Sequence, residues 1–179
     1  MAAKLAARFG AGVGAIIGGM DDTTPPAGAG PDALLDEAHR FLDWASGQTE
    51  ALDGTDASLW FVQGVVQSMA RDTDESPSYR ALKTVAYAVY IAELLASTCE
   101  GVRVAIDADG MTAHEVTAVG RAHLYVLSWV RSCLEDPEAD NLVFKYAGAL
   151  RDLGEHDRAA VLHGQLEEYR QYLASEPGD

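Results

Sequence analysis

The sequence predicts an all-α fold, a single-domain bundle of six or seven helices. Three observations point there. Apolar residues recur at i, i+3 and i+4 through most of the chain, the period of a helix with one buried face. Helix start signals such as Ser76–Pro77 stand directly before those runs. Only one short stretch alternates in the manner of a strand. With 179 residues, 48% of them hydrophobic, the chain can bury one sizeable core. Residues 1–20 read as an N-terminal glycine-zipper helix or arm, 21–31 as a linker, and 32–179 as one helical domain.

The first segment contains GAGVGAIIGG, residues 10–19. A phosphate-cradling loop needs a strand before its glycines and a helix after them. Here MAAKLAARF precedes, rich in helix formers, and the breaker-rich MDDTTPPAGAGP follows. The apolar run from Phe9 to Met20 is shorter than the roughly 20 residues of a membrane span. Lys4 and Arg8 before it resemble the start of an export signal, but no small-x-small cleavage site precedes Asp21. What remains is spacing. Gly10, Gly14 and Gly18 form a bare helical stripe that admits another backbone closely. Each glycine costs a helix about 1 kcal/mol relative to alanine, so the segment is expected to order by docking, with these glycines as its partner contact.

The first helix of the domain opens at Pro31 and Asp32 and turns Leu34, Leu35, Ala38, Phe41, Leu42 and Ala45 inward. A second follows Asp56 as cap, with Leu59, Val62, Val66 and Met69 inward. The third, opened by Ser76 and Pro77, is apolar around most of its circumference, as a central buried helix must be. Its polar stripe is Lys83, Tyr87, Tyr90 and Ser97. Val102, Val104 and Ile106 then alternate, and without an evident partner strand they read as an extended crossover. Thr112 and Glu115 have capping-box spacing and predict a helix from there to about Leu134. EDPEAD, residues 135–140, places acids at the start of the next helix, where the macrodipole favours them. That helix faces inward through Leu142, Tyr146, Leu150 and Leu153 and ends at Gly154. The last carries Ala159, Leu162, Leu166, Tyr169 and Leu173 inward.

Within the last two helices, LGEHDRAA joins a helix ending at Leu153–Gly154 to a second in which Ala159 leaves room for close approach. Residues 141–173 resemble one tetratricopeptide repeat on this motif. The resemblance implies a helical hairpin used for stacking and for binding partners. No second copy stands about 34 residues upstream, so one hairpin is implied and not a solenoid.

Charge narrows the partners. With 28 Asp and Glu against 13 Lys and Arg, the net charge of −15 repels phosphate backbones and anionic membranes. No nucleic-acid or membrane role is therefore expected. Cys99 and Cys133 lie far apart and read as buried free thiols, which favours a reducing, cytoplasmic setting. The abundance of Ala, Gly, Asp and Arg points to a GC-rich bacterial genome. Metal and cofactor are not expected: DADG, residues 107–110, lacks the closing glutamate of a calcium loop, and Asp36–His39 has no second copy. Arg151/His156 and Arg158/His163 share the Arg-x4-His spacing of helical HEPN-type RNases, which the acidic surface opposes.

One constellation could carry chemistry. On the helix expected from Thr112, His123 falls in the middle of the apolar side, and Glu93 lies at the flank of the preceding buried helix. A carboxylate orienting a near-neutral imidazole would make a general acid or base, with Lys83, Tyr87 and Tyr90 lining the same pocket. Two functions follow. The chain is a small acidic accessory or protein-interaction subunit of a multi-protein or biosynthetic assembly, bound to another protein or to its own copy. Alternatively it is a cofactorless helical enzyme acting on a small molecule through a buried His123/Glu93 pair.

Overall fold

Helix-period patterning over most of the chain becomes six helices among the described residues. The computed structural model describes residues 31–106, 114–118 and 123–175. The predicted contact residues Gly10, Gly14 and Gly18, and the chain up to residue 30, lie outside the described residues. The helices are α1 (Pro31–Gln48), α2 (Ser58–Arg71), α3 (Pro77–Thr98), α4 (Val126–Glu135), α5 (Leu142–Asp152) and α6 (His156–Ser175). The fold is an all-α single-domain bundle with one small sheet attached.

α3 sits in the middle. Every residue from Leu82 to Val89 is buried, and Ile91, Ala92, Leu94 and Leu95 continue the burial. α1 packs on one side of it and α4 on another, while α2 bridges α4 and α5. Ser76 caps α3 as its position before Pro77 predicts, its hydroxyl accepting from the Tyr79 amide at 3.3 Å. The inward faces read from periodicity also hold: Ala38, Phe41, Leu42 and Ala45 of α1 and Leu59, Val62, Val66 and Met69 of α2 are in the core. Leu142, Tyr146 and Leu150 of α5 and Ala159, Leu162 and Leu166 of α6 join them. Leu173 does not; at the end of α6 it projects into solvent.

The expected helix from Thr112 to Leu134 is corrected in its first half. Val102–Ile106 forms β1, His114–Ala118 forms β2, and His123–Tyr125 forms β3, an antiparallel meander in the order β1-β2-β3. Val104 pairs with Val116, and Val116 in turn with Leu124. Glu115, read as the far half of a capping box, is a strand residue opposite Ala105 and Tyr125. The missed signal is β-branching: Val116 and Thr117 are residue types that favour strands over helices. The crossover strand thus has its partner, and α4 starts only at Val126.

α5 and α6 form a tight antiparallel hairpin. Gly154 adopts φ 91°, its amide donates to the Arg151 carbonyl at 3.0 Å, and the Glu155 amide donates to the Leu150 carbonyl at 2.8 Å. This pair of bonds closes the end of α5 and turns the chain at once into α6. Trp60 of α2 holds the hairpin down, donating from its indole to Gln165 at 2.8 Å and meeting Tyr169 edge-on at 5.3 Å. Because the turn needs a left-handed residue, Gly154→Ala is expected to lower stability by about 1 kcal/mol, measured as a reduced urea midpoint. An unchanged midpoint would mean the hairpin does not depend on this turn.

Candidate functional site

The paired acid and base expected from the sequence are not together in a buried site. β3 alternates, so Leu124 enters the core while His123 and Tyr125 face out, with His123 opposite Thr117 of β2. Glu93 is also exposed, its carboxylate 2.9 Å from Nε2 of His39 on α1. A strand at residue 123 replaces the helical wheel that put His123 on an apolar face. The imidazole beside Glu93 therefore comes from α1, and it ties α1 to α3 near the surface.

Lys83, Tyr87 and Tyr90, expected as pocket lining, have separate environments. Lys83 is 1% exposed in the middle of the bundle. It makes an ion pair with Glu75, from the turn before α3, and its ammonium lies 4.9 Å from the centre of the Tyr79 ring. The hydroxyls of Tyr79 and Tyr87 make no hydrogen bond among the described residues. Burial, with the Tyr79 and Glu75 charges nearby, pushes the Tyr87 phenol above its ordinary range. Tyr87 and Tyr79 both meet the Phe41 ring edge-on, at 5.9 and 6.2 Å, which fixes α1 against α3. Tyr90 donates to the Ser58 hydroxyl at 2.7 Å and accepts from the Gly54 amide at 3.0 Å, so it anchors the α1–α2 loop.

The other charged groups of the interior are spent in the same way. Arg158 of α6 grips Asp56 with two bonds, 2.9 Å from Nε and 2.6 Å from Nη2, and donates to the Thr98 carbonyl at 3.0 Å. Tyr146 adds a bond to Asp56 at 2.9 Å. One carboxylate thereby joins the start of α2, the end of α3, α5 and α6. This also accounts for Arg158 of the Arg-x4-His spacing, while His163 stacks edge-on with Phe144 at 6.0 Å. Lys145 of α5 bonds Asp140 and the Ser132 hydroxyl of α4. Cys133, beside it, is a buried free thiol, which that burial and the Asp140 charge push up to about 12. Among the described residues no group of His, Cys, Asp or Glu has the arrangement of a metal site, and no helix is long and apolar enough to cross a membrane.

Two shallow grooves, of about 420 and 350 Å³, flank Arg131 and Glu135 on α4, one running past Tyr125 and Ser128 and the other past Arg80 and Thr84 of α3. The outer side of the α5–α6 hairpin is more apolar. Phe144 is 51% exposed and Val161 60%. On the α6 wheel, Ala160 and Gly164 fall between His163, which touches Phe144, and Val161. A Cβ built on Gly148 or Gly164 would meet nothing within 4 Å. Phe144 and Val161 thus flank a strip of α6, the saddle, that carries Ala160 and Gly164 in its middle and the exposed Asp157, Glu167 and Glu168 towards its ends. Sequence periodicity names Ala159, Leu162 and Leu166 as the buried face but gives Phe144 and Val161 no role; their signal is being large and apolar off that face.

Two outcomes test the interior reading. Lys83→Met is expected to cost about 3–5 kcal/mol, because it leaves the Glu75 carboxylate buried without its cation; adding Glu75→Leu should restore most of that loss in urea unfolding. Additive losses would show that the two groups do not act as a pair. For Asp56, burial acts to raise the carboxyl pKa, but bonds from Arg158 and Tyr146 outweigh it and hold the group below its ordinary range. Its stabilisation is therefore complete above about pH 4 and is lost as pH falls through the lowered folded value. The gap in Tm between the wild type and Asp56→Asn should narrow steadily from pH 5 to pH 2; a constant gap would exclude this role.

Comparison with protein-family models, with curated proteins and with solved structures finds no match for the chain.

Proposed function

We propose that the protein is a small acidic interaction subunit that recruits another protein through the outer face of its α5–α6 hairpin. The observation that carries this reading is the saddle bounded by Phe144 and Val161. Large apolar side chains half in water cost solvation free energy that a covering partner recovers, and contiguous exposed apolar surface marks contact sites on soluble domains. The hairpin is fastened to the bundle through Trp60, Arg158 and Tyr146, so the surface is presented on rigid elements. Its acidic surroundings, Asp157, Glu167 and Glu168, favour a partner with a basic rim around an apolar anchor. The resemblance of residues 141–173 to a tetratricopeptide repeat supports the same use.

The alternative of a helical enzyme built on His123 and Glu93 is not carried forward, since the two residues do not form the buried pair it requires. The interior carboxylates and cations described above pair with one another between elements of the bundle.

The reading is tested by affinity purification of the tagged full-length chain from its own host, comparing the wild type with Phe144→Asp and Val161→Asp. Both side chains are at least half exposed, so stability should change by less than about 0.5 kcal/mol. A stoichiometric companion retained by the wild type and lost from both variants is the expected result. A companion retained undiminished by both would place the contact elsewhere and sink the proposal.

A further inference from the structure

We propose that the groove between α3 and α4 binds a small monocarboxylate with an apolar tail, its carboxylate held by Arg131 with Arg80 beside it. The site is independent of the recruiting face, since none of its lining residues belongs to the α5–α6 hairpin. Three observations carry it.

The first is the state of Arg131. Lys83, Lys145 and Arg158 are each tied to a carboxylate. Arg131 is exposed, and among the described residues its guanidinium has no ion pair or hydrogen bond. Glu135 follows it by four residues on α4, which is the less favourable order for a helical pair. With 28 acids in the chain, an arginine that no described acid has taken keeps its fork of N–H donors open. A planar guanidinium matches a carboxylate through two parallel bonds.

The second is what stands with it. Arg131 and Glu135 lie on the ridge between the two grooves and line both. The groove on the α3 side adds Arg80, which donates to the Asp72 carbonyl and lies 3.8 Å from Glu75. A guanidinium has five N–H donors, so Arg80 is held in place and still has donors to offer. Glu75 is already answered by Lys83. Two cations against the exposed carboxylate of Glu135 favour a single negative charge in the groove. A dianion would meet both Glu135 and the field of a chain whose net charge is −15.

The third is the apolar lining. Ala81, Val85 and Leu134 border the same groove, and the Thr84 hydroxyl beside them is turned to the Arg80 carbonyl at 2.7 Å. Apolar walls with a few polar groups are the composition of a small-molecule site, and such sites run from about 300 to 1,000 Å³. At about 350 Å³ the groove suits a small ligand. An acyl chain covers Val85 and Leu134 while its carboxylate stays with Arg131.

The test is a titration of the isotope-labelled full-length protein with octanoate, read by NMR. Shifts centred on residues 77–85 and 131–135 are expected, saturating below about 10 mM. Octanol supplies the tail without the charge, acetate the charge without the tail, and inorganic phosphate a dianion. Each should bind at least about tenfold more weakly than octanoate. Arg131→Gln and Ala81→Glu should each weaken octanoate at least about tenfold, whereas Arg103→Gln on β1 should leave it unchanged. All three positions are exposed, so the variants are expected to keep the fold, and unaltered resonances elsewhere check this. Four results would overturn the proposal: no saturation, shifts centred on the α5–α6 saddle, octanol or phosphate binding as tightly as octanoate, or undiminished binding by Arg131→Gln.

Discussion

The burial of α3 from all sides is the constraint on which the rest of the bundle depends. A helix with one wet face can send its polar residues outward. α3 has almost no wet face between Leu82 and Leu95, so any charge on it must be matched inside the protein. Lys83 is the case in point. An unpaired ammonium there would cost several kcal/mol, and Glu75 in the preceding turn supplies the counter-charge. That requirement in turn fixes how the chain enters α3, and the aromatic contacts of Phe41 with Tyr79 and Tyr87 fix which side α1 must cover.

The same economy governs the molecule's few cations. Against 28 acidic residues there are 13 Lys and Arg, and those that reach the interior are each committed to a carboxylate: Lys83 to Glu75, Lys145 to Asp140, Arg158 to Asp56. Arg158 is the most connected, because a planar guanidinium can serve a carboxylate, a carbonyl and a hydroxyl at once. These three cations act as fastening, while the excess of acids over bases leaves the chain net acidic, with Asp157, Glu167 and Glu168 exposed on α6.

The stretch from Val102 to Tyr125 shows where sequence periodicity misleads. Thr112 and Glu115 have the spacing of a helix start, and Val116, Val119, Val126 and Val130 fit a helical wheel as well as they fit anything else. A period of 3.6 and a period of 2 cannot be separated over a few β-branched residues. The decision is made by the partner strand: β1 presents a matched edge to residues 114–118, and pairing there avoids the cost of β-branching in a helix. Once β3 is a strand, His123 points away from the core. The Glu93 contact passes to His39, a residue 54 positions earlier, which no local pattern could nominate.

The sequence by itself determined the helical class, the inward faces of α1, α2, α5 and most of α6, the capped start of α3 and the glycine turn into α6. All of these are set within one or two turns of chain, by apolar spacing, a hydroxyl before a proline, or a glycine that alone tolerates a positive φ. Only the tertiary structure decided the sheet, the exposure of His123 and Glu93, the pairing of Lys83 with Glu75, the Asp56–Arg158 junction and the exposure of Phe144 and Val161. Each depends on which distant segment arrives opposite a residue. A side chain's partner, its burial and its freedom to meet another molecule are properties of that arrival, which local spacing does not encode.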